Sequence, residues 1–159
     1  MTVNKQRRKV VKSVAAGVAA TALPLPFISK SGFGSDPIVL GLPIAQSTAG
    51  GVADHLDHLQ GAILAQEEIN AAGGILGREL KLKVVDIDIF SPEGCQTSML
   101  KLVDEKVHAM TTPFTLAPIP TIDATVKYKA PLLWGVTQRN YTDHVAANPD
   151  KYSHCFQTD

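Results

Sequence analysis

The chain has 159 residues, 45% of them hydrophobic and 19% charged, which is enough for one well-formed core and ordinary for a globular domain. Fifteen basic residues balance fifteen acidic ones, so the charge gives no reason to expect nucleic acid or an anionic membrane as the main partner. Cys95 and Cys155 make no zinc pattern, which needs about four ligands at short spacing. Sequence leaves a disulfide open, and two packed free thiols are the plainer reading.

In chain order, Asn4 to Lys12 is a basic segment, and Ser13 to Ile28 is small and apolar but broken by Pro24 and Pro26. That stretch is too weakly hydrophobic for a membrane span and has the pattern of an export signal. Arg7–Arg8–Lys9–Val10–Val11–Lys12 resembles a twin-arginine motif, with Gln6 where Ser or Thr is usual and Val10 in place of the common Phe. Residues 1–35 are therefore expected to be a signal and its junction, cleaved after Ala22 or near Gly32. Residues 36–159 are expected to fold outside the cytoplasm, in the periplasm.

Pro37 to Ile44 is a short apolar run closed by turn residues, the mark of a buried strand. Gln46 to Gly51 is a loop. A helix is predicted from about Ala53 to Ala72, with Leu56, Leu59, Ile63 and Ile69 near one stripe. His55 and His58 on that helix have no third ligand nearby and read as a polar face. Gly73 and Gly74 stop the helix, Gly77 turns the chain, and Leu80 to Ile87 is the second strand.

Ser91 is a good N-cap with Pro92 at the first helical position, and Met99, Leu100, Leu102 and Val103 form the apolar side of the second helix. His108 to Thr111 is a third strand. Pro118 and Pro120 are expected to hold the next helix back to about Thr121. Pro131 to Val136 is a fourth strand, and Tyr152 to Gln157 opens a fifth. Strand and helix alternate throughout, which predicts an α/β fold with a parallel sheet and helices on both faces.

In such open sheets, ligands sit outside the carboxyl ends of the strands. The loops after Ile44, Thr111 and Trp134 carry Ser47, Thr48, Thr112, Thr115, Thr137 and Gln138. Hydroxyls, amides and backbone N–H groups can hold a carboxylate or an amide without a full counter-charge. The same side chains can equally be spent on local backbone bonds. A dinucleotide enzyme would need G-x-G-x-x-G after the first strand, and Gln46 to Gly51 does not supply it. No nucleophile–base pairing suggests itself either, so the chain is read as a non-enzyme without a cofactor.

The string Glu67 to Arg78, EEINAAGGILGR, closely resembles the end of the first helix in periplasmic solute-binding proteins of ABC importers, of the branched-chain amino-acid and amide–urea type. Val39–Leu40–Gly41–Leu42, the segment Asp86, Asp88, Ser91 and Pro92, Lys101–Leu102–Val103 and Ala130–Pro131–Leu132–Leu133 resemble the family in order and spacing. The resemblance runs from about Pro37 to Asp159 and implies the first lobe of a two-lobed binding protein, with the second lobe missing. It implies a small-molecule solute and an ABC permease of the inner membrane as partners, with no nucleic acid. A sensing receptor of the same fold and a non-functional truncated copy are the alternatives. A lone lobe would leave a sheet edge and a partner face open, and is expected to be marginal or aggregation-prone.

The resemblance also implies site residues. Thr115 stands where the family holds the polar head of the ligand. Trp134, Val136 and Gln138 stand along the cleft, with Ser47 in the first loop and Thr112, Leu116 and Thr137 beside them. Thr112 replaces a common Gly. Trp134 is bulky where branched-chain amino-acid binders are small and amide binders aromatic, which implies a pocket for an amide, a urea-like solute or a small aromatic carboxylate. Phe90 and Phe114 occupy positions that some amino-acid binders bridge with cysteines.

Overall fold

Alternating apolar runs and capped helices produce nine elements in the computed structural model, which describes residues 33–136 and 138–158. Arg7, Arg8, the rest of the expected signal through residue 32, and Thr137 lie outside the described residues. In order they are β1 (Ile38–Ile44), α1 (Val52–Ala71), β2 (Leu80–Asp86), α2 (Pro92–Asp104), β3 (Ala109–Thr112), α3 (Pro118–Asp123), β4 (Leu132–Trp134), α4 (Arg139–Ala147) and β5 (Cys155–Gln157). The strands form one parallel sheet in the order β2-β1-β3-β4-β5. The expected α/β class and strand sequence are what the structure has.

The end of α1 shows why its sequence is so specific. Gly74 sits at φ 75 and donates its N–H to Ile69 at 2.8 Å, closing the helix. A Cβ there would fall 2.0 Å from the Arg78 carbonyl oxygen, so only glycine fits. Asn70 then brackets the first residue of β2. Its Nδ2 donates to the Leu80 carbonyl at 2.9 Å, and its Oδ1 accepts from Leu80 N–H at 2.8 Å. Gln66 adds a bond to the same carbonyl at 2.9 Å. The helix end and the strand start are thereby locked into register. Ser91 caps α2 as expected, its Oγ accepting from Gly94 N–H at 3.0 Å.

Right-handed crossovers put the helices on two faces. The walk from β1 to β2 carries α1 over one face. The walk from β2 back past β1 to β3, β4 and β5 carries α2, α3 and α4 over the other. On that second face Met110, Leu132 and Trp134 of the sheet pack with Met99, Leu102, Ile122 and Tyr141 of the helices in the main core. On the first face α1 approaches the row of Thr111, with His58 Nε2 3.4 Å from Thr111 Oγ1.

Several expectations are corrected. Helix α3 begins at Pro118, because prolines in a first turn lose only N–H groups that no helical carbonyl would meet. Leu56 is 39% exposed and Leu100 is 43% exposed, since each lies one residue, about 100°, past an inward position, His55 and Met99 respectively. His55, read as part of a polar face, is fully buried because its ring nitrogen has a backbone partner inside. The cysteines, by contrast, follow the plainer reading: both are free thiols, Cys95 buried and Cys155 half-buried.

Candidate functional site

The chain leaves β1 for β2 on one side and returns to β3 on the other, so the sheet has its topological switch point between β1 and β3. Three loops meet at this end. The loop after β1 is held down by Asp86 at the end of β2. Asp86 Oδ1 accepts from Gln46 N–H at 2.8 Å, and Oδ2 accepts a short hydrogen bond from Ser47 Oγ. The Ser47 hydroxyl holds the Asp86 carboxyl below the usual carboxylate range. Thr48 Oγ1 donates to Gly50 O at 2.7 Å, closing the loop on itself. Gly51 then takes φ 73, where a Cβ would meet Ile89 Cδ1 at 2.7 Å and the Phe114 ring at 3.2 Å.

Beside the switch point, at the ends of β3 and β4, lies an open pocket of about 280 Å³ lined by Phe114, Thr115, Leu116, Gly135, Val136 and Gln138. It brings together four of the eight ligand-binding residues expected from the sequence: Thr115, Leu116, Val136 and Gln138. Gln138 ties its two walls, donating from Nε2 to the Thr115 carbonyl at 3.1 Å. None of the lining side chains is ionisable.

Three of the other expected residues, Ser47, Thr112 and Trp134, sit elsewhere, and Thr137 lies outside the described residues. Ser47 is exposed and bonded to Asp86. Thr112 is buried, with Oγ1 donating to the Pro43 carbonyl at 2.9 Å, which crosslinks β3 to β1. Trp134 points into the core, edge-on to Tyr141 with ring centroids 5.0 Å apart. Its buried Nε1 has no hydrogen-bond partner among the described residues. The aromatic wall of the pocket is Phe114 instead. Phe114 and Gly135 were missed as lining residues, although both follow directly from their position just beyond β3 and β4.

Beneath the pocket floor, Thr115 Oγ1 lies 3.1 Å from Thr121 Oγ1, which itself donates to the Ala117 carbonyl at 2.7 Å. Thr115 is therefore the donor of that pair. Cys95 donates from Sγ to the Asp88 carbonyl at 3.3 Å, and burial pushes its thiol up. The Cys155 thiol is pushed up by burial to about 12. Neither has the electropositive, exposed setting of a reactive cysteine. Among the described residues no group of three ligating side chains could hold a metal, and no helix is long and apolar enough to cross a membrane.

With this geometry in view, the relatives are informative. No family model and no curated protein matches the chain. Solved structures do. A candidate branched-chain amino acid ABC transporter protein from Silicibacter pomeroyi is 28% identical with a TM-score of 0.72, over 78% of this chain and 32% of its own. The branched-chain amino acid transporter substrate-binding protein of Streptococcus pneumoniae, solved with isoleucine, is 28% identical with a TM-score of 0.60, over 76% of this chain and 34% of its own. A solute-binding protein of an ABC transporter from Rhodopseudomonas palustris BisB5, solved with 3,4-dihydroxybenzoic acid, shares the fold at 16% identity and a TM-score of 0.55, over 77% of this chain and 33% of its own. The chain is thus similar to branched-chain amino acid ABC transporter substrate-binding proteins and has the fold of part of one. It spans about a third of the length of these structures.

Proposed function

We propose that this chain supplies one lobe of the extracytoplasmic substrate-binding component of an ABC importer. The lobe captures an amino acid, an amide or urea-like solute, or a small aromatic carboxylate. The observation that carries this reading is the uncharged pocket of Phe114, Thr115, Leu116, Val136 and Gln138 at the carboxyl ends of β3 and β4, on a fold shared with proteins of that class. Phe114, Leu116 and Val136 would take the apolar part of the solute. The amide oxygen of Gln138 would accept from its polar head, since the Nε2 side is already given to Thr115.

A one-sided pocket encloses little of a solute, so the opposite wall would come from a second lobe that closes on the first. The closed form would then dock on a permease of the inner membrane. Arg7 and Arg8 would direct export by the twin-arginine route. The test is calorimetric titration with isoleucine, leucine, acetamide and 3,4-dihydroxybenzoate, run on this chain and on the product of the whole reading frame that contains it. Micromolar binding of one class by the product of that whole reading frame, weakened when Gln138 or Phe114 is replaced by Ala, is the expected result. Its failure to bind any of them would overturn the reading.

A further inference from the structure

His55 lies fully buried between the two loops that meet at the switch point, next to the pocket yet outside it. Its Nδ1 accepts from the Ala45 backbone N–H at 3.0 Å, just beyond the end of β1. Its ring meets Phe114 edge-on, with centroids 5.0 Å apart and planes at 71°. A ring nitrogen that accepts carries no proton, so the imidazole is neutral and its hydrogen is on Nε2. That nitrogen is buried and has no hydrogen-bond partner among the described residues. A leucine or phenylalanine would fill the same volume and leave the Ala45 N–H unmet. The position therefore uses an acceptor and an aromatic edge together.

We propose that His55 is a positioning residue for the solute pocket: its neutral ring fastens the loop after β1 and seats Phe114 as the pocket's apolar wall. Protonation removes the acceptor, frees Ala45 and shifts the ring against Phe114, so solute affinity falls in acid. This inference rests on the solute-binding reading of the same pocket. The charged and titratable neighbours acting on the ring are Asp54 and His58 of α1. Asp86 holds the same β1 loop through Gln46 and Ser47, and Asp88 lies in the loop after β2. The loops after β1 and β3 themselves carry no ionisable side chain. Burial is the largest influence on the ring and keeps its proton affinity below the ordinary histidine value of 6.5.

The experiment is a nuclear magnetic resonance titration of the ¹⁵N-labelled full chain from about pH 8 to about pH 5. It follows the ring nitrogens of His55, the exchange of the Ala45 amide and the Phe114 ring signals. Two variants are compared. His55→Asn keeps an acceptor near the Nδ1 position, and His55→Phe keeps only a ring. At the upper pH we expect Nδ1 unprotonated and Ala45 protected in the wild type and in His55→Asn, with exchange about five- to tenfold faster in His55→Phe. As the pH falls through the folded ring's lowered value, beneath the ordinary 6.5, Ala45 protection and the Phe114 signals change together in the wild type only.

Isoleucine and 3,4-dihydroxybenzoate are titrated in parallel, and the affinity of whichever binds falls in the same pH window. A proton on Nδ1 at the upper pH, or Phe114 signals indifferent to the state of His55, would overturn the proposal, and the wild-type titration alone can give that answer. If His55, Ala45 and Phe114 respond as described while neither solute binds this chain or the product of its whole reading frame, the positioning lock stands and the solute-binding reading falls.

Discussion

Leu132 and Leu133 are neighbours in one strand with opposite surroundings. Leu132 is fully buried among α2, α3 and α4, in line with Met110 on β3, while Leu133 is 41% exposed, in line with Phe156 on β5, which is 50% exposed. The contrast comes from winding direction. After β2 the chain moves one way along the sheet, so its crossover helices all fall on one face. The other face has α1 over β1 and β2, and none of the described helices lies over β4 and β5. Among the described residues the half-sheet beyond β3 is therefore finished on one side and uncovered on the other, with β5 the last strand of the sheet.

The largest expected effect follows from that contrast. Leu132→Ala should cost about 2–5 kcal/mol through loss of burial and a residual cavity. Leu133→Ala should cost under about 1 kcal/mol, because much of its side chain already meets solvent. Urea denaturation of the two variants measures the difference. Equal losses would mean that Leu133 is covered in solution, by a second copy or by another part of the chain, and the comparison of faces would break.

Much of this architecture was legible in the sequence, and the reasons are local. The glycine pair after Ala72, the Ser91–Pro92 helix start and the apolar runs at β1 and β4 each favour one conformation, so order and class followed directly. What was missed depended on partners distant in sequence. His55 looks polar on a helical wheel because the donor its ring accepts from, Ala45 N–H, belongs to the preceding loop. Thr112 and Ser47 look like ligand hydroxyls until Pro43 and Asp86 are seen to occupy them. Trp134 is the fourth-strand aromatic, and strand alternation decides whether it faces the cleft or the core. Its alignment with Thr112 and its contact with Tyr141 put it in the core.

Acid sharpens the same comparison, because the two sides titrate through different groups. On the finished side His154 is buried, its Nε2 2.7 Å from Thr125 Oγ1, and burial lowers its proton affinity below the ordinary 6.5, with Lys129 adding to the effect. Burial also lowers His55 and His58 on the α1 side. The unfolded chain then binds more protons than the folded one as the pH falls through 6.5. The stabilising contribution of the neutral rings is complete above 6.5 and is lost as the pH falls from there through the lower folded values. The Asp86 carboxyl, held down by Ser47, contributes in a separate window, present above its ordinary 3.8 and lost as the pH falls below it. Urea midpoints measured against pH should therefore decline in two stages. His154→Gln should shrink the first and Ser47→Ala the second, and a midpoint flat between about pH 7 and about pH 5 would contradict the histidine assignments.

The smallest expected effect on stability belongs to the pocket, where function and packing separate most cleanly. Gln138 Nε2 crosses from the start of α4 to the Thr115 carbonyl at 3.1 Å, and the residue is half-buried, so water can replace much of what Gln138→Ala removes. The net loss should be at the low end of a hydrogen bond, about 0.5 kcal/mol. The same bond fixes the distance between the β3 and β4 loops, and on the proposed solute-binding reading a solute would meet that spacing across the whole pocket. Affinity in the product of the whole reading frame should then fall by more than the stability of this chain does, on the order of tenfold where the amide also meets the solute. Calorimetry beside urea denaturation gives both numbers on one variant. If stability drops by several kcal/mol and affinity only in proportion, Gln138 is a packing residue of the lobe and the pocket's polar contact lies elsewhere.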